Sequence, residues 1–334
     1  MDFSAVVFTL AKLFFLMVIG FTLNRTHLLD SKGNKAVSNL LVYAASPAMT
    51  IGSIASTGNL TRSTVVLIIL FGIGIYIVLP LFAFLAVRLL NVKAEHRGIA
   101  QLLLIFGNTG FMAIPILQSL YGDVSIFVVN IMNLPFNFII YTYGIYLINQ
   151  DNRARLKRKA EEGTLTAEES EHFDKISKEK DLNWRLFVTP PIIASVLSVV
   201  MFFCRINLPD KVNEGIMYLG NCTPPLSMLL LGSLLAEHPL KGMFSDLKVN
   251  CAMVFKMLVM PFIVLLIAKP LFHDPVLVGI SALTYAMPSG TLCAILSKNK
   301  DGDTAVSSGG VVFSTLVSLI TIPIVYLILA PMFG

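Results

Sequence analysis

The chain has 334 residues, 55% of them hydrophobic and 13% charged, with a formal net charge of +5 and a mean hydropathy of +0.77. Soluble domains carry about 25% charged residues, so this supply cannot cover the water-facing surface of a soluble enzyme, and a disordered chain is excluded too. A polytopic α-helical membrane protein remains, and the apolar runs are continuous rather than alternating, which argues against a β-barrel.

A spanning helix needs about 20 apolar residues. Ten stretches qualify: 3–23, 36–56, 64–87, 98–120, 124–148, 186–204, 212–236, 249–268, 276–296 and 305–329. Span 1 begins Met1-Asp2, without a basic start or a small-residue cleavage site before the next span, so it is expected to be a helix and not a signal peptide. It carries Lys12 near mid-depth, where a cation is expensive and usually functional. An anion or a gate is its expected partner. Span 2 carries Ser46-Pro47, a kink whose hydroxyl is a candidate substrate contact.

Span 4 is interrupted by Phe106-Gly107-Asn108-Thr109-Gly110-Phe111 and then Pro115. Gly and Pro free backbone groups from the helix ladder. Lipid cannot satisfy those groups, so the break must be buried in protein or line a cavity. Span 5 presents Asn130, Asn133, Asn137 and Tyr141, spaced three, four and four, on one face. Burying that many amides in lipid is costly, and Asn137 and Tyr141 are expected at a cavity. Residues 149–185 hold nine basic and nine acidic residues and read as a solvated loop. Within it, Thr166-Ala167-Glu168-Glu169 has the form of a capping box, and Trp184 sits where an interface anchor belongs.

Span 7 carries Thr223-Pro224-Pro225, a second kink. Lys256 in span 8 is expected to snorkel towards the nearer membrane face. Span 9 is interrupted in its turn, by Ala286-Met287-Pro288-Ser289-Gly290-Thr291. Ser307, Ser314, Ser318 and Thr321 share a face of span 10, as interhelical glue or as part of a site.

No Asp or Glu lies near the middle of any span, and all five histidines fall in loops or at span ends. Proton relays commonly use such groups, and none is placed for one. The four cysteines (Cys204, Cys222, Cys251, Cys293) are scattered and form no C-x-x-C, so no metal, cofactor or disulfide is expected. Neither a D-D-x-x-D nor an H-E-x-x-H motif occurs, and no intramembrane Ser/His arrangement, so an enzyme is not expected.

The net positive charge is explained by topology and not by nucleic acid. Of the 25 Lys and Arg, nineteen fall in the loops joining spans 1–2, 3–4, 5–6, 7–8 and 9–10, and four in the alternate loops. Basic loops stay cytoplasmic, so both termini are expected outside the cell membrane and residues 149–185 inside. A shift of 180 residues superposes Gly52-Ser53 on Gly232-Ser233, Thr109-Gly110 on Ser289-Gly290, Gly122-Asp123 on Gly302-Asp303 and Tyr146 on Tyr326. Each half holds five spans, so the second enters the membrane inverted: residues 1–148 and 186–334 form two inverted five-helix repeats, as in many secondary transporters. Paired interruptions at corresponding positions point to the binding site. The half-helix N-termini after each break present N–H donors and partial positive charge, which suits a carboxylate. The candidate site is Asn108, Thr109 and Gly110 with Pro288, Ser289, Gly290 and Thr291.

This layout resembles the auxin efflux carrier family, bacterial members included, over essentially the whole chain. The resemblance rests most on Gly107-Asn108-Thr109-Gly110-Phe111-Met112-Ala113-Ile114-Pro115-Ile116. Support comes from Leu219-Gly220-Asn221-Cys222-Thr223-Pro224-Pro225-Leu226 and Met287-Pro288-Ser289-Gly290. The plant branch has a Pro before the Asn-Thr pair where this chain has Gly107, and the central loop here is short, so a prokaryotic relative is indicated in place of an auxin carrier. The resemblance implies the fold of bile-acid symporters and sodium/proton antiporters, with helices 4 and 9 crossing at their breaks. Helices 3–5 and 8–10 would form a transport domain, and helices 1, 2, 6 and 7 a scaffold that dimerises. Ser46, Asn108, Asn137 and Tyr141 would line the pocket. The expected function is secondary transport of a small organic anion, a mono- or dicarboxylate such as malate or malonate, by elevator-like alternating access. The alternative is a sodium-coupled organic anion symporter.

Overall fold

A computed structural model describes residues 3–164, 189–237 and 243–332. The capping box at Thr166 and the Trp184 anchor lie outside these residues. Among the described residues every regular element is helical, and the one strand-like feature is an isolated antiparallel bridge between Gly107 and Ser289.

Span 1 is α1 (Phe3–Arg25). Span 2 is compound: α2 (Ser31–Leu40), a π turn over Leu41–Ala45, α3 (Ser46–Gly52) and a closing 3-10 turn over Ser53–Thr57. α4 (Arg62–Leu89) forms span 3. Span 4 is split into α5 (Arg97–Ile105) and α6 (Ile114–Tyr121), with a π turn over Thr109–Ala113 leading into the second half. Span 5 comprises α7 (Val124–Met132), α8 (Leu134–Ile139), a π turn over Ile140–Gly144 and α9 (Ile145–Glu161). Helix therefore continues past residue 148 into the stretch read as loop. The second half holds α10 (Pro190–Cys204), α11 (Asp210–Gly220), α12 (Thr223–Glu237) and α13 (Leu247–Leu271). It closes with the split pair α14 (Pro275–Thr284) and α15 (Thr291–Asn299), and then α16 (Thr304–Leu329).

Among the described residues, six continuous helical stretches are long and apolar enough to cross a bilayer: Ser31–Thr57, Arg62–Leu89, Val124–Glu161, Asp210–Glu237, Leu247–Leu271 and Thr304–Met332. Spans 4 and 9 are interrupted, and spans 1 and 6 correspond to α1 and α10. Large apolar side chains such as Phe15, Leu70, Ile77, Leu266 and Ile320 face outward. In a multi-pass membrane protein that surface meets lipid.

α1 and α12 make an unusually close crossing. A Cβ on Gly20 would fall 2.0 Å from the Leu229 carbonyl oxygen, and one on Gly232 would fall 1.8 Å from the Met17 carbonyl oxygen. Each helix thus lays its backbone against a glycine of the other. Lipid tails are as apolar as leucine, so membrane helices associate through such close packing instead of hydrophobic contrast.

The loops sort into two ends. At one, Asn152 donates to the Lys300 carbonyl at 2.8 Å, Arg155 to that of Asp301 at 2.9 Å, and Lys248 to that of Asn91 at 2.8 Å. At the other, Arg62 donates to the Phe203 carbonyl at 2.8 Å. The first end is held by His96. Its Nδ1 lies 2.7 Å from Asp246 Oδ2 and its Nε2 lies 3.5 Å from Asp303 Oδ2. The other oxygen of each carboxylate caps a helix. Asp246 Oδ1 accepts from the Lys248 and Val249 amides at the start of α13, and Asp303 Oδ1 from those of Ala305 and Val306 at the start of α16. Asp151 of α9 does the same for α5, accepting from the amides of Gly98 and Ile99 at 2.7 Å each. One imidazole thereby joins the starts of α13 and α16 just ahead of α5. The hydrogen bond to Asp303, with that to Asp246, outweighs burial and raises the His96 pKa from 6.5 to about 9.

Two predictions follow from this packing. Gly20→Ala or Gly232→Ala forces the crossing apart and costs about 1–3 kcal/mol, read as a lower unfolding temperature in detergent. Gly74→Ala, where an added Cβ meets nothing within 4 Å, is neutral or stabilising. Because the His96 pKa is raised on folding, its contribution is complete below about pH 6.5 and is lost as pH rises through about 9. The unfolding temperature of wild type should fall across that window more steeply than that of His96→Gln, and parallel profiles would refute the assignment.

Candidate functional site

The two interruptions meet. Phe106, Gly107 and Asn108 run non-helically between α5 and the π turn, and Met287 through Gly290 do so between α14 and α15. The Asn108 amide donates to the Pro288 carbonyl at 2.7 Å, and the Gly290 amide to the Phe106 carbonyl at 2.8 Å. Each break supplies the partners that the other lacks. A Cβ on Gly290 would stand 3.2 Å from the Gly107 carbonyl oxygen, so the approach is tight enough to favour glycine there. Ser289 completes the seam: its amide donates to Ser314 Oγ at 3.2 Å and its hydroxyl to the Leu103 carbonyl at 2.8 Å.

Lys256 belongs to this seam, which corrects the expectation that it snorkels. It is 3% exposed, and its Nζ donates to the Met287 carbonyl at 2.7 Å. It lies on the α13 face that also buries Met253, Met257 and Met260, so its stem points into the protein. The carbonyls following α14 carry the partial negative charge of a helix C-terminus, and the ammonium meets one of them.

Above the seam lies a cavity of about 190 Å³. Seven of the expected residues line it: Ser46, Asn108, Thr109, Gly110, Asn137, Gly290 and Thr291. Pro288 and Ser289 fall outside the lining, their backbone spent in the seam. Tyr141 is half-buried and also outside it, and Lys12 is on the exposed surface of α1. The lining also includes Asn130, Asn133, Ser195 and Thr223, with apolar walls from Val42, Phe111, Ile114 and Phe136. Asn130 donates to Thr50 Oγ1 at 3.0 Å, and Asn133 Oδ1 accepts from the Tyr76 hydroxyl at 3.0 Å. Two amides of the asparagine stripe are thus engaged with neighbouring helices.

Asn108 differs. It is 3% exposed, its Oδ1 accepts from the Phe111 amide at 3.3 Å, and its Nδ2 is buried with no hydrogen-bond partner. The oxygen caps the turn into α6, which turns the amide nitrogen away from the capped backbone. The first residues of α15, Thr291 and Leu292, also face the cavity, and amides at a helix start have no intrahelical acceptor. No Asp, Glu, Lys, Arg or His lines it. Among the described residues the lining is neutral and mostly apolar, with hydrogen-bonding side chains from Ser46, Asn108, Asn133 and Asn137 set into it. Among the described residues no group of three or more His, Cys, Asp or Glu is placed to hold a metal ion.

Thr223 at the cavity and Lys256 at the seam are the positions hardest to place from sequence. Thr223 was readable only as a kink beside Pro224, and Lys256 only as a charge near a span end.

A family model described as a membrane transport protein matches residues 5–326. An uncharacterized transporter of Methanocaldococcus jannaschii is 20% identical over 314 residues, covering 92% of this chain and 93% of its own. The interrupted helices, the cavity at their meeting point and the near full-length family match lead to one conclusion: the chain belongs to the membrane transport protein family, that of the auxin efflux carriers.

Proposed function

We propose that the protein is a secondary carrier for a small organic anion, a mono- or dicarboxylate of the malate or malonate kind, bound where the two interrupted helices meet. The observation that carries this reading is the buried, unpartnered Nδ2 of Asn108, a residue that lines a cavity without charged side chains among the described residues. An unmade hydrogen bond of this sort costs about 1–3 kcal/mol, and a carboxylate oxygen removes the penalty. The neighbouring start of α15 adds a partial positive charge of the same sense.

In this reading the ten spans form two inverted repeats, with both termini outside the cell membrane. α4 through α9 and α13 through α16 move as an elevator against α1–α3 and α10–α12, which also form a dimer interface. The location of the cavity supports the division, because its lining comes from both groups: Asn108 and Thr291 from the first, Ser46 and Thr223 from the second. An inside-negative potential favours export of a net anion by about 2.3 kcal/mol per charge per 100 mV. Import requires exchange or a coupling ion.

Asn108→Ala in proteoliposomes is the direct test. Transport of the carboxylate that best stabilises the purified wild type should fall at least tenfold, a loss of about 1.4 kcal/mol or more, while expression and ligand-free unfolding temperature stay close to wild type. Unchanged uptake would remove Asn108 from the site. Repeating the thermal shift with and without Na⁺ separates an uncoupled carrier from a sodium symporter.

A further inference from the structure

We propose that Thr223 is a second substrate-binding residue, and that bound substrate bridges its hydroxyl to the Asn108 amide across the cavity. The inference rests on the carboxylate-carrier reading and adds to it a contact on the opposite wall. Among the described residues, seven buried side-chain polar atoms lack a hydrogen-bond partner, and two of the seven, Asn108 Nδ2 and Thr223 Oγ1, belong to residues that line this cavity. Thr223 is 2% exposed, so solvent does not satisfy it.

The local sequence explains why this hydroxyl is conspicuous. A helix start normally offers several free amides. In α12 the residues after Thr223 are Pro224 and Pro225, which have no N–H. The first amide after them, on Leu226, is already given to the Cys222 carbonyl at 3.1 Å. Ser227 turns its hydroxyl back to the Pro224 carbonyl at 2.9 Å. The two prolines remove the backbone donors of the two positions after Thr223, so its own amide and hydroxyl are what this terminus offers. Ser195, the other hydroxyl on this side, is committed to the Pro191 carbonyl at 2.8 Å.

The position of Thr223 has a mechanical consequence. α12 is bound to α1 through the Gly20 and Gly232 crossing, whereas Asn108 is bound to the seam. The π turn that follows Asn108 packs on α12. A ligand with an acceptor on each of two sides satisfies both orphaned atoms only while the seam is seated against α12. Occupancy is thereby tied to one arrangement of the two parts, and leaving that arrangement costs the ligand its Thr223 contact.

The test uses the purified full chain with malonate, malate and acetate as probes, read by ligand-dependent thermal stabilisation. Thr223→Val preserves shape and removes the hydroxyl, and Thr223→Ser retains it. For the probe that stabilises wild type, Thr223→Val should raise the half-saturating concentration at least tenfold and Thr223→Ser less than threefold. The ligand-free unfolding temperature of Thr223→Val should equal or exceed that of wild type, since an unsatisfied buried hydroxyl is removed. Wild-type affinity in Thr223→Val alongside lost affinity in Asn108→Ala would overturn the bridge and leave the carrier reading standing. If no probe stabilises wild type, the carboxylate reading and the bridge fall together.

Discussion

Backbone amides and carbonyls at a broken helix have no partner in lipid, and the rest of this structure answers to that constraint. Two breaks occur, at Phe106–Asn108 and Met287–Gly290, and the chain brings them together so that each completes the other. An orphaned buried backbone group costs about 1–3 kcal/mol, so pairing the two breaks stabilises their crossing. The seam then dictates its surroundings. Gly290 must be small because the Gly107 carbonyl passes beside it, Ser314 must reach the Ser289 amide, and Lys256 takes the Met287 carbonyl from below.

What remains once the seam is satisfied is the chemistry of the cavity. The carbonyl and amide groups of the crossing are mostly used, and the Asn108 oxygen is used in capping, so the Asn108 nitrogen is left buried without a partner in a residue that lines the cavity. The lining carries no charged side chain. The nearest formal charge described in the seam is Lys256, which pairs with no carboxylate among the described residues.

Much of this was legible in the residues, for identifiable reasons. Gly107-Asn108 and Pro288-Ser289-Gly290 announce helix breaks because glycine and proline act on the backbone directly. Ser46 and Asn137, singled out by a kink and by helical spacing, both line the cavity. Tyr141, one turn further along the same stripe, falls outside the lining; a π turn over Ile140–Gly144 intervenes and shifts the register that the spacing argument assumed. The helix of span 5 overran residue 148 because Asp151 and Asn152, polar in composition, are buried in contacts with α5 and Lys300. Composition saw only two hydrophilic residues there.

The amino-acid sequence alone determined that the chain is helical and membrane-bound, that two of its helices are broken, and that no carboxylate waits at mid-depth. These are properties of local backbone chemistry and of hydropathy, which each residue carries wherever it folds. Only the tertiary structure decided that Lys256 is interior, that Lys12 is not at the cavity, that His96 joins two helix caps, and that Asn108 and Thr223 are the orphaned atoms of one cavity. Whether a polar group is satisfied depends on which partners arrive from elsewhere in the chain, and no local pattern records that.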